Sequence, residues 1–218
     1  MMKTSDQEFV AYLDELFPKP GCALRFSNPF ECICAVMLSA QTTDASVNKV
    51  TPALFEKYPD AFALSRAELT DVETIIRSIG LYHAKAKNLI GLSQTLVERH
   101  HGAVPENKED MRKLPGVGVK TSNVVGAICF GIPAIAVDTH VARVSKRLGY
   151  AFENDEPEKI ETKLERRFPK EIHIRLHYQI ILFGREICHA QRPDCESCRL
   201  QGRCRYFMKN RSIKGKKS

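Results

Sequence analysis

The sequence predicts an all-α fold, and three observations carry that reading. Alternation of apolar and polar residues over roughly four to eight positions, the mark of half-buried strands, is nearly absent. Apolar residues instead recur at helical spacing through most of the chain. Asn, Asp, Ser, Pro and Gly stand where such runs begin and end. A length of 218 residues with 43% hydrophobic content supports one large domain or two small ones, each with a core. The charged fraction of 27% is ordinary too, which excludes a disordered chain, a collagen and a coiled-coil rod.

The elements follow in order. Ser5 and Glu8 read as a capping box before an amphipathic run ending at Pro18. Asn28 caps the next helix, with Pro29 at the first position, where a missing N–H costs nothing. That helix runs into the apolar string FECICAVMLSA, and residues 44–58 make another. Ser65 and Glu68 read as a second capping box for a helix over 70–79, stopped by Gly80. Residues 82–101 form a long amphipathic helix ended by Gly102. Asn107 caps a short charged helix that runs to LPGVG, and 119–130 is an apolar helix closed by Gly131. Asp138 caps the helix DTHVARVSKRL, ended by Gly149, and runs over 156–168 and 172–187 complete the set. No internal repeat or long low-complexity linker interrupts them.

The longest apolar stretch, residues 124–137, is broken by Pro133 and falls short of the roughly 18 residues a membrane span needs. The first residues mix acids with apolar side chains and lack a basic n-region or small-residue cleavage site. A cytoplasmic, membrane-free protein is expected, with cysteines reduced or metal-bound rather than bridged. The net charge of +7 is unevenly placed. Residues 185–218 hold ten Lys or Arg against three Asp or Glu, while the rest of the chain holds 23 of each sign. A basic end on a neutral body points to an anionic partner, nucleic acid by default. The final KNRSIKGKKS reads as a solvated tail.

Cys188, Cys195, Cys198 and Cys204 form a C-x6-C-x2-C-x5-C array within that basic segment. Four thiolates in a short loop can ligate one tetrahedral zinc or one iron–sulfur cluster, and spacing alone does not choose between them. The loop is too short for a core of its own, so ligation would supply its folding energy. Cys22, Cys32, Cys34 and Cys129 share no such spacing and read as buried free thiols.

Leu114-Pro115-Gly116-Val117-Gly118 sits between two helices. Its glycines allow a tight turn with backbone N–H groups turned outward, and the following helix adds its own free N–H groups and positive dipole end. Such a hairpin can grip a phosphate through backbone alone, although a helix–helix connection needs nothing more than a turn.

Together LPGVGVKT (114–121), AVDTHVARV (136–144), LSAQTTD (38–44), GLYHAKAKNL (80–89) and the cysteine array resemble the endonuclease III family of helix-hairpin-helix DNA glycosylases. The resemblance covers nearly the whole chain. It implies a two-lobed fold, with residues 22–132 as a helical barrel lobe that includes the hairpin. Residues 1–21 and 133–218 would form the second lobe, with a [4Fe-4S] cluster on the four cysteines and a basic tail. It implies a monomer acting on double-stranded DNA that contains damaged pyrimidines or abasic sites, bound between the lobes.

Lys120 and Asp138 match the family's catalytic pair. Lys120 lies in the first turn of a helix, where the positive dipole end disfavours an ammonium. A neutral amine there can attack C1′ of a deoxyribose, displace the damaged base and form a Schiff base, after which β-elimination breaks the strand on the 3′ side. Asp138, at its own helix start, would remain an anion and stabilise oxocarbenium charge. Taken singly, one is a surface lysine and the other an N-cap; the motif context makes them a pair. Gln41 and Leu81 match the positions that wedge into the duplex when a base is flipped out, their plain alternatives being a polar cap and a core residue. Leu114, Gly116 and Gly118 of the hairpin, His140 and Arg192 complete the expected DNA-binding set. His140 is equally readable as a satisfied structural histidine, and Arg199, Arg203 and Arg205 compete with Arg192 for phosphate. Val119 departs from the family, which commonly carries a basic residue there.

Three functions remain open at this point. They are a bifunctional glycosylase and lyase for oxidised pyrimidines, a monofunctional relative of the adenine glycosylases, and a DNA-binding module with a redox-sensing cluster. Lys120 argues against the second, as does a chain too short for the extra C-terminal domain. The coexistence of Lys120 and Asp138 argues against the third.

Overall fold

The computed structural model describes residues 2–214. Among them run twelve α-helices and no strand. In chain order these are α1 (Thr4–Leu16), α2 (Pro29–Leu38), α3 (Asp44–Lys57), α4 (Ala61–Ser65), α5 (Leu69–Ile76) and α6 (Tyr82–His100). They continue as α7 (Lys108–Arg112), α8 (Val119–Phe130), α9 (Thr139–Leu148), α10 (Pro157–Arg167), α11 (His173–Glu186) and α12 (Arg205–Lys214). None of the described helices is long and apolar enough to cross a membrane.

Three helix starts rest on the expected side chains. The Oδ1 atoms of Asn28, Asn107 and Asp138 accept N–H bonds from Glu31 at 2.9 Å, Glu109 at 2.8 Å and Val141 at 2.8 Å, satisfying amides that the first turn leaves without partners. Neither expected capping box forms. Ser5 lies inside α1, whose cap is Lys3, because the buried Asp6 ties that first turn to Arg167 through bonds of 3.0 Å. Ser65 ends α4, a helix unforeseen in the sequence, and its hydroxyl turns back to the Phe62 carbonyl at 2.9 Å. Asp60 caps α4 instead, accepting the Ala63 N–H at 2.8 Å. The basic tail also differs from expectation. Its first part belongs to α12, which begins directly after Cys204, and residues 215–218 lie outside the described residues.

The chain divides into two compact units: Cys22–Ile132, and Met1–Gly21 with Pro133–Ser218. In the first, α6 packs on α4 and α5, and α2 packs on α8. Its core gathers Ile33, Leu38, Leu54, Leu64, Ile76 and Leu89, all without measurable exposure. In the second, α11 packs on α1 and α9 around Phe9, Leu13, Val144, Leu164, Ile180 and Phe183.

Candidate functional site

The hairpin begins where α7 ends. The Val117 N–H reaches the Leu114 carbonyl at 3.1 Å, closing a four-residue turn with Pro115 second and Gly116 third. Gly116 has φ +77°, the left-handed conformation that third position asks for. A methyl group on it would also stand 2.5 Å from Met37 Sδ and 2.9 Å from Asn88 Cβ. The two glycines therefore differ. Gly118 is extended, at φ −95° and ψ −176°, and a Cβ there would meet nothing within 4 Å. No side chain caps α8 behind it, so the first amides of the helix face outward from an exposed backbone. Leu114 and Val117 are buried, so what Leu114 offers a partner is backbone. Arg112 Nε donates to Ser122 Oγ at 3.2 Å and fixes α7 against α8. Lys120, the second residue of α8, is exposed, as is Val119.

Gln41 lies in the turn between α2 and α3, and Leu81 occupies the N-cap position of α6. Both are exposed, Leu81 at 62%, which rules out a core role for it. Both also hold left-handed backbone, with φ of 54° and 60°. That conformation costs a non-glycine residue roughly 1–2 kcal/mol, so each is kept there by its surroundings. Among the described residues only two others, His101 and Arg192, share this property. Three of the four strained non-glycine positions thus coincide with residues expected to touch DNA.

In the other unit, Asp138 is half-buried at the head of α9 and spends one carboxylate oxygen on the Val141 cap. His140 follows on the same helix. Its Nδ1 lies 3.1 Å from Arg143 Nη2. Burial pushes the His140 imidazole below its ordinary value; the nearby Asp138 charge opposes this and the Arg143 charge adds to it.

The cysteine loop hangs from α9 by two arginines absent from the expected set. Arg143 donates to the carbonyls of Gly184 at 2.7 Å and Cys188 at 3.0 Å. Arg147 donates to the His189 carbonyl at 2.6 Å, the Ala190 carbonyl at 3.0 Å and Cys188 Sγ at 3.3 Å, and lies over the Tyr206 ring. Their spacing of four on one helix was the available signal. All four array cysteines are unbridged and half-buried, and Cys188, Cys195 and Cys204 each act electrostatically on Cys198. Burial, above all, raises the Cys195 and Cys198 thiols. Among the described residues no three His, Cys, Asp or Glu side chains converge on the position of a single ion. Of the competing arginines, Arg199 pairs with both oxygens of Glu15, and Arg203 donates to the Ser5 carbonyl and to Tyr150 Oη. Arg192 is exposed on left-handed backbone.

The remaining cysteines belong to the Cys22–Ile132 unit, where Cys32 and Cys34 are fully buried. Cys32 shares a hydrogen bond with Cys129 that holds the Cys32 thiol far above its ordinary range and draws Cys129 below it.

Residues 34–170 match the model of the HhH-GPD superfamily base excision DNA repair proteins. The chain is 48% identical over 193 residues to endonuclease III of Bacillus subtilis (strain 168), covering 88% of each chain. It is 43% identical over 206 residues to endonuclease III of Escherichia coli (strain K12), covering 94% of this chain and 97% of the relative. A solved structure of a trapped endonuclease III–DNA covalent intermediate superposes with a TM-score of 0.90 at 46% identity, covering 96% of this chain and all of the other. The chain belongs to the endonuclease III family of the HhH-GPD superfamily and is a base excision repair enzyme of the DNA glycosylase/AP lyase class.

Proposed function

We propose that the chain removes oxidised pyrimidines of the thymine glycol type from duplex DNA and then cuts the strand. The exposed amine of Lys120, on the first turn of α8 directly after the hairpin, is the observation that carries this reading. The amine attacks C1′ as the bond to the damaged base breaks, and the base leaves with the electron pair of that bond. Ring opening then gives a Schiff base between Nζ and C1′. Loss of a C2′ proton expels the 3′ phosphate by β-elimination. The Asp138 side chain, at the head of α9, stabilises the positive charge that builds on the sugar. The outward amides of α8 and the backbone at Gly118 receive backbone phosphate, and Arg192 adds a further phosphate contact. Gln41 and Leu81 enter the space the flipped nucleotide leaves, the amide facing the orphaned base and the isobutyl group filling the stack. The solved covalent DNA complex of the similar endonuclease III supports a reaction that passes through a covalent bond to DNA.

Cys188, Cys195, Cys198 and Cys204 fit a [4Fe-4S] cluster as a donor set. They are four unbridged thiols that act on one another, one of them receiving the guanidinium of Arg147. When bound, the cluster supplies the covalent framework for a loop whose one buried apolar side chain is Leu200.

Incubation with a thymine glycol duplex and borohydride tests the reading directly. The expected result is a covalent complex in the wild-type chain and its loss in Lys120→Ala, with strand cutting reduced by about 10³-fold or more. Trapping that survives Lys120→Ala overturns the Schiff-base assignment. Base release without trapping points to a monofunctional enzyme, and binding without either points to a DNA-binding module.

A further inference from the structure

Lys85 on α6 is 5% exposed, and among the described residues no carboxylate pairs with it. A buried, unpaired ammonium is costly unless its N–H groups are used well. Here Nζ donates to the Leu38 carbonyl at 2.9 Å and to Thr42 Oγ1 at 2.7 Å. Leu38 is the last residue of α2, so the cation meets a carbonyl left over at the negative end of a helix dipole. Thr42 passes the restraint on: its hydroxyl donates to the Ala40 carbonyl at 3.3 Å, and its N–H reaches the Ser39 carbonyl at 3.1 Å. Gln41 lies between the two residues so fixed, in its left-handed conformation. The backbone N–H of Lys85 meanwhile donates to the carbonyl of Leu81 at 3.0 Å. That bond is the ordinary first-turn bond of α6, so the Lys85 side chain ties the Gln41 turn to the turn of α6 that begins at Leu81. Burial, which disfavours the ammonium, makes the two Nζ bonds the main support for its charge.

We infer that Lys85 is a positioning residue for the proposed reaction, tying the Gln41 turn to the Leu81 cap so that both residues enter the duplex in fixed register. The inference rests on the reading of Gln41 and Leu81 given above. Two reactions of the full chain separate positioning from folding. One is single-turnover cleavage of a thymine glycol duplex; the other is β-elimination at an abasic site in a single strand, which has no partner base and no stack to wedge. Lys85→Met is expected to slow the duplex reaction about tenfold while leaving the single-strand reaction within about twofold. Thr42→Val is expected to act the same way and Thr42→Ser to restore the wild-type rate, since only the hydroxyl matters. In a Gln41→Ala, Leu81→Ala background, Lys85→Met adds no further slowing. Equal loss in both reactions, or a full additional loss in that background, overturns the assignment. If Lys85→Met does not fold, Thr42→Val and Thr42→Ser carry the same comparison alone. A wild-type chain that cleaves neither substrate overturns the functional reading, and this inference with it.

Discussion

The hairpin of one unit and the cysteine loop of the other are held by opposite means. Around Gly116 the chain is fixed by apolar packing: Leu114 and Val117 are buried beneath it, and Met37 lies against the glycine itself. Residues 188–204 contain one buried apolar side chain, Leu200, and are otherwise held by polar contacts, among them guanidinium bonds from α9 and the bonds of Arg199 to Glu15 and Arg203 to Ser5. The first region carries its own determinants in the polypeptide and leaves no room for an added atom. The second has almost no apolar core, and with the cluster proposed above its order would depend on a component the polypeptide acquires. On that proposal, shape is the sensitive variable in the hairpin, and occupancy in the loop.

Cysteine replacement is the harshest way to break this contrast. Cys198→Ser is expected to abolish iron binding and its visible absorption, and to cost about 4 kcal/mol or more in chemical denaturation. Cys129→Ser keeps the iron and costs about 1 kcal/mol, because it replaces a half-buried thiol outside the array whose one bond to Cys32 a hydroxyl can also make. A reversal of the two iron assays would reassign the ligands.

Glycine replacement sharpens the hairpin side. Gly116→Ala meets both a left-handed φ and a crowded site, and is expected to cost about 3 kcal/mol of stability by calorimetry. Gly118→Ala has open space and extended backbone, so stability changes by no more than about 0.5 kcal/mol. Its duplex affinity should nonetheless fall about tenfold, since the methyl group separates backbone from phosphate. Equal stability losses would remove the distinction between a glycine the fold needs and one its partner needs.

The smallest effect separates the arginines of the loop. Arg192→Ala is expected to reduce the slope of log affinity against log salt by about one, while Arg199→Ala leaves it unchanged because Glu15 already holds that side chain. An unchanged slope in Arg192→Ala would remove it from the interface.

Much of this was legible in the residues. Asn28, Asn107 and Asp138 announced their helices because a cap is a local event, decided within three residues. The boxes proposed at Ser5 and Ser65 failed for the complementary reason. Asp6 answers to Arg167, 161 positions away, and Ser65 had already been claimed by a helix capped at Asp60. Candidate site residues with chemical signatures, such as the cysteine array, could be named from spacing. Lys85, Arg143 and Arg147 could not, because a supporting cation is defined by the carbonyls it reaches, and those are set by packing. Left-handed backbone at Gln41, Leu81 and Arg192 was invisible for the same reason, since no glycine marks it.

The pairing of α1 with distant partners bears on the order in which the protein can be made. Every residue of the Cys22–Ile132 unit is available once residue 132 has been synthesised. The first helix must wait: Phe9 and Leu13 find cover against α11, and Glu15 meets Arg199 184 positions later. During translation the apolar face of α1 is without its partners until α11 has been made, long after the last residue of the neighbouring unit.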